Sequence, residues 1–182
     1  VGAGQPVQNA ITVAGNTPDV VVTEFDQGNA LVRLKAEGPD AAPAIEVPAS
    51  AFAQGRAAVT INHFRAGTVR VSAEMKSRRS SSGPVEVLPA ALHHFDMAMP
   101  TQQAQAGVAF RLVITARDAY GNTVSDYDRS GGGVQIHSSG VGEIQPAQVS
   151  PASFKNGTAQ VDLRSFTSER FVLTAAERLR WE

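Results

Sequence analysis

The segment PASAFAQGRAAVTINHFRAGTVRVSAE, beginning at Pro48, returns with one gap as PASFKNGTAQVDLRSFTSERFVLTAA, beginning at Pro151, a repeat of about a hundred residues. Pro48 aligns with Pro151, Phe52 with Phe154, Gly55 with Gly157, Val59 with Val161, Phe64 with Phe166 and Ala73 with Ala175. A chain that repeats its apolar pattern at this distance folds as two copies of one unit, each burying the same face. The repeated face has period two: Ala57, Val59 and Ile61 alternate with polar or small residues, as do Ala159, Val161 and Leu163. Val32 and Leu34 fall opposite Val134 and Ile136 in the same register.

Alternation recurs elsewhere and helical spacing is hard to find. In GVAFRLVITARD, Phe110, Leu112, Ile114 and Ala116 share one face while Arg111, Val113, Thr115 and Arg117 share the other. Ten prolines and sixteen glycines punctuate such runs, as the turns of an all-β sandwich require. The chain is therefore expected to be all-β, with domains over residues 1–88 and 89–182 meeting near Pro89. Val85 and Val87 would close the first, and Leu92 and Phe95 would open the second. Phe52, Val59, Ile61, Phe64 and Val71 form one expected core; Phe110, Leu112, Ile114, Val161, Leu163 and Phe171 form the other. The first domain has short or atypical front strands, and the second has no strand after FVLTAAERLRWE to match PVEVLP. NAITVAG, Asn9 to Gly15, reads as an exposed strand suited to completing that open edge in another copy.

Sixteen basic and seventeen acidic residues leave a formal charge of -1, which gives no field to attract nucleic acid. Cysteine is absent, excluding disulfide and thiol chemistry, and no apolar run approaches the roughly 20 residues that span a bilayer. VGAGQPVQNA has neither the basic nor the apolar region of a signal peptide. No P-loop, nucleophile elbow or HExxH pattern occurs, and GAG at Gly2 to Gly4 follows no strand, so neither enzymatic activity nor a cofactor is expected. Trp181 is the only tryptophan, with two tyrosines and eight phenylalanines, a thin supply for a sugar-binding platform.

Within LHHFDMAMPTQQAQAGVAFRLVITARDAYGNTVSDY, Leu92, Phe95, Ala106, Gly107, Phe110, Leu112, Ile114, Ala116, Asp118, Gly121, Asn122, Val124 and Tyr127 fill a recurrent pattern. It resembles the opening of the bacterial immunoglobulin-like (Big-type) repeats found in tandem in surface and secreted proteins. NGTAQVDL and FVLTA fit the rear strands of such repeats, and the first domain matches through its rear half only. The resemblance implies two tandem immunoglobulin-like β-sandwich domains without catalytic activity. They would act as a spacer, adhesive element or assembly module at the bacterial surface, in the periplasm or outside the cell. Their partners would be proteins, including other copies of the chain. The alternative is an accessory carbohydrate- or protein-binding module of a larger secreted enzyme or secretion machine.

Four groups of residues could carry chemistry. Asp118, Asn122, Asp126 and Asp128 offer the hard oxygens that calcium takes, yet their spacing is not that of an EF-hand and the strand ending at Asp118 demands a turn there. His63, His93, His94 and His137 read as surface imidazoles, and adjacent His93 and His94 should point to opposite faces of a strand, unable to share a metal. KSRRSSSG, from Lys76, reads as the solvated tip of a hairpin rather than an anion site. NGT at Asn156 is formally a glycosylation sequon but reads as a two-residue turn with positive φ, a place Gln54-Gly55 takes in the first repeat.

Overall fold

The structure, a computed structural model, describes residues 3, 6–12, 25, 29–39, 43–101 and 103–178. The protein is all-β, and its chain divides into two compact units, Val1–Leu88 and Pro89–Glu182.

The second unit shows the architecture most fully. Strands β8 (Leu92–Ala98), β9 (Phe110–Asp118), β13 (Thr158–Ser165) and β11 (Ile144–Gln145) form an antiparallel sheet in the order β11-β13-β9-β8. Strands β10 (Val134–Ser138), β12 (Gln148–Val149) and β14 (Leu173–Glu177) form a second sheet in the order β12-β10-β14. The first two strands thus pair with each other while the third pairs in the opposite sheet, as in the immunoglobulin sandwich. Alternation drives the packing: Leu112, Ile114 and Ala116 of β9 and Ala159 and Leu163 of β13 are buried. They meet Val134 and Ile136 of β10 and Leu173 of β14 in one core. Burying such side chains contributes about 1.5–3 kcal/mol each for the larger ones.

In the first unit, β2 (Leu31–Glu37) shows the same alternation, burying Val32, Leu34 and Ala36. It lies between β3 (Ile45–Pro48) and β5 (Gly67–Met75), and the far edge of β5 is taken by β6 (Arg78–Ser81) and β7 (Val85–Val87). A separate pair joins β1 (Pro6–Thr12) to β4 (Arg56–Asn62). Val32, Leu34, Val47, Phe52 and Ala57 form this unit's core.

Local features recur at matched positions of the two units. In both units a 3-10 turn, Ala49–Ala51 or Pro151–Ser153, precedes the matched phenylalanine. Phe52 meets Phe25 edge-on with ring centroids 4.8 Å apart, and Phe154 meets Tyr127 in the same manner at 4.6 Å. The two-residue turns follow, with φ of 51° and 73° at Gln54 and Gly55 and of 49° and 75° at Asn156 and Gly157. Asn156-Gly157 is therefore the positive-φ turn its sequence suggests.

Three expectations need correcting. The segment read as a free N-terminal strand is β1, and its seven residues are already paired with β4 of the same unit; residues 13–15 of NAITVAG lie outside the described residues. Its register, Ile11 opposite Ala57, parallels that of β9, where Ile114 stands opposite Ala159. Phe64, expected in the core, is 44% exposed, and its repeat partner Phe166 is 60% exposed, because both follow the end of a strand rather than lying within it. KSRRSSSG is only partly a tip: Lys76, at φ 53°, and Ser77 make the turn, while Arg78–Ser81 form the exposed strand β6 against β5.

Candidate functional site

β9 ends at Asp118, where the chain turns toward the four-residue helix α1 (Tyr127–Ser130). Asp118 is completely buried. One carboxylate oxygen accepts from the Tyr120 and Asn122 backbone N–H groups at 2.9 and 2.8 Å. The other accepts from the Ala90 N–H at 2.9 Å and the Asn122 side-chain amide at 2.8 Å. Burial alone would raise the Asp118 carboxyl pKa, but these donors, led by the Asn122 side chain, outweigh it and hold the pKa below its ordinary value. Gly121 supplies the left-handed residue of the turn at φ 79°.

The rest of the run has equally local duties. Val124 is buried and its N–H donates to the Ala116 carbonyl. Tyr127, fully buried, donates its hydroxyl to the Gly133 carbonyl at 3.0 Å and stacks edge-on against Phe95 and Phe154. A Cβ on Gly131 would come within 2.2 Å of the Tyr127 ring, so glycine is required there for the ring to seat. Asp118 and Asn122 are thus committed to each other and to the backbone of a corner. Asp126 and Asp128 do not join them: they flank the start of α1, and among the described residues no group of three or more metal-ligating side chains converges.

The histidines divide differently from expectation. His137 is exposed, as its alternation with buried Val134 and Ile136 requires. His63 is only 2% exposed, and among the described residues neither ring nitrogen has a hydrogen-bond partner. The largest departure is His93-His94. The pairing of β8 with β9 slips between Leu92, opposite Asp118, and His94, opposite Arg117, leaving His93 as the extra residue of a β-bulge. A bulge re-aims side chains that strict alternation would separate. Both imidazoles consequently meet, Nδ1 to Nδ1 at 3.1 Å, with their rings nearly perpendicular.

From this pair a polar chain runs across the sheet. His94 Nε2 lies 3.5 Å from an Asp96 carboxylate oxygen, and the other Asp96 oxygen accepts from Arg117 Nε at 2.8 Å. The same guanidinium donates to Thr123 Oγ1 at 2.8 Å and to the Gly121 carbonyl at 3.2 Å, tying the chain to the Asp118 corner. The sequence held no signal for this cluster, because the bulge that assembles it replaces the period-two rule on which the reading of adjacent residues rested.

The shallow depressions of the second unit are less organised. One, of about 570 Å³, lies between the loop after β8 and the loop before β14 and includes Met99, Gln103, Phe110 and Phe171. Trp181, considered for a sugar platform, lies outside the described residues. No described helix is long and apolar enough to cross a membrane.

No protein-family model matches the chain, and no curated protein matches it. Among solved structures it is similar to invasin, a bacterial integrin-binding protein, with 17% identity over 97% of this chain and 34% of that one, at a TM-score of 0.40. It is also similar to a β-glycosidase from Bacteroides vulgatus, with 13% identity over 94% of this chain and 23% of that one and a TM-score of 0.37. Bacteroides uniformis β-glucuronidase 3 gives 14% identity over 97% and 21%, with a TM-score of 0.31. The chain spans about a third or less of the length of these proteins, and likenesses this distant assign it no role.

Proposed function

We propose that the chain is a non-enzymatic structural or adhesive element built from bacterial immunoglobulin-like modules, working at the cell surface, in the periplasm or outside the cell, and that the free edge of β14 accepts a further strand. The observation that carries this reading is a difference between the units. In the first, the edge of β5 away from β2 is covered by β6 and β7. In the second, β14 pairs with β10 on one side and, among the described residues, with no strand on the other. An edge of this kind exposes backbone donors and acceptors that an extended segment can satisfy. A strand from another copy added there makes a head-to-tail contact, which propagates into a filament unless it closes into a ring. β1 could donate that strand only by leaving β4, so a copy in which β1 stays paired calls for a different donor.

The ladder supplies the test. The Arg178 N–H donates to the Gly133 carbonyl on the β10 side, so by alternation the Ala175 N–H faces the free edge. Ala175→Pro removes that outward donor while sparing the bonds to β10, and edge strands tolerate proline. The full chain is expected to self-associate with rising concentration in sedimentation velocity, and Ala175→Pro to remain monomeric with an unchanged far-UV spectrum. Association unaffected by the substitution, or a wild-type chain monomeric throughout, would count against the edge as an assembly site. The alternative role as an accessory module of a secreted enzyme rests on no specific geometry in either unit.

A further inference from the structure

We propose that His93 and His94 form a binding site for one divalent transition-metal ion of the borderline class, copper(II) or zinc(II), held by the two Nδ1 atoms. The site lies on the surface of the second unit, in the bulge of β8, and does not depend on how the edge of β14 is used.

Distance is the first support. Metal–imidazole bonds of about 2.0–2.1 Å put two ligand nitrogens about 2.9 Å apart at a right angle and about 3.3 Å apart at the tetrahedral angle. The observed 3.1 Å lies between these values. An ion can therefore enter at nearly the nitrogen separation already present, once the two exposed rings turn so that both Nδ1 lone pairs face it.

The orientation of His94 is the second. Asp96 stands at its Nε2, and a carboxylate there favours the tautomer with the proton on Nε2 and a bare lone pair on Nδ1. Asp96 is itself fixed by Arg117, which is anchored to Thr123 and the Gly121 carbonyl. This is the carboxylate–histidine arrangement that orients metal ligands in established sites. On binding, His93 carries its ring proton on Nε2 and offers Nδ1 as the second ligand.

The third concerns stoichiometry and selectivity. Among the described residues no third metal-ligating side chain joins the pair, so water completes the coordination shell and the ion remains exchangeable. Imidazole pairs bind copper(II) more tightly than zinc(II), whereas calcium and magnesium prefer oxygen ligands.

The test is calorimetric titration of the untagged full chain with copper(II) and, separately, zinc(II), paired with copper(II) electron paramagnetic resonance. One ion per chain is expected, copper tighter than zinc, with nitrogen coupling in the spectrum. His93→Ala and His94→Ala should each weaken binding at least ~10-fold, and Asp96→Asn, which leaves both ligands in place, should weaken it by about 10-fold through loss of orientation. His137→Ala, altering an exposed imidazole elsewhere, should leave it unchanged. Because both ring positions are exposed, the variants should keep the wild-type far-UV spectrum. Binding that survives both single alanine substitutions, binding lost equally with His137→Ala, or no binding of either ion would overturn the proposal.

Discussion

Asp118 illustrates how a residue that reads as a ligand can be a structural hub. Its carboxylate is ionised and buried, which is tolerable because four N–H donors surround it. Asp118→Ala leaves the N–H donors at Ala90 and Tyr120 and the two buried donors of Asn122 without their acceptor, and is expected to cost about 3–5 kcal/mol in urea denaturation. The pH dependence follows from the direction of the shift. Because the folded-state pKa lies below the ordinary 3.8, the stabilisation is complete above that value and is lost as pH falls through it toward the folded pKa. Wild-type unfolding free energy should therefore decline on acidification in that interval, while Asp118→Asn, less stable at neutral pH, should show a smaller decline there. A wild-type and variant pair with parallel profiles would show that the carboxylate is not the linked group. His63 reads as a surface imidazole but is buried, a mismatch with a related cause: alternation shows which residues share a face, but His63 lies just past the end of β4, where the pattern stops.

At the scale of elements, turns were more legible than bulges. The Asn156-Gly157 turn could be read because its chemistry is local: positive φ at two successive residues selects for Asn and Gly wherever it occurs. Its tertiary role could not. The Gly157 carbonyl accepts from the Ala116 N–H, and a Cβ there would lie 2.5 Å from both the Thr123 methyl and the Val124 carbonyl oxygen. Gly157→Ala should thus combine left-handed strain with overpacking and cost about 2–4 kcal/mol, measured as a lowered denaturation midpoint. A cost within about 0.5 kcal/mol would mean the corner relaxes freely around the new methyl. The β8 bulge is the opposite case, since nothing local in LHHFD specifies an extra residue. The slip exists in relation to Arg117 and Asp118 of β9, far downstream in the chain.

On the scale of the whole molecule, each unit builds its own core, from Val32, Leu34 and Phe52 in one and from Leu112, Ile114 and Leu163 in the other. Both tyrosines belong to the second unit, so tyrosine fluorescence reports on that unit. Ile114→Ala, at a fully buried position, should lower the tyrosine-reported stability by about 2–5 kcal/mol. An unmoved tyrosine transition would remove Ile114 from the core. The sequence by itself determined the all-β class, the repeat and the buried faces of β4, β9 and β13, because alternation and turn chemistry act over a few neighbouring residues. It could not show that β1 is the counterpart of β9, since Asn9 stands where β9 has Leu112 and the apolar pattern is broken. Only the tertiary structure decided which edges are paired, that Asp118 is a hub rather than a ligand, and that His93 meets His94. The edges and the bulge depend on hydrogen bonds between segments distant in the chain, and the Asp118 corner adds the distant Ala90 N–H to its local donors, none of which a local pattern encodes.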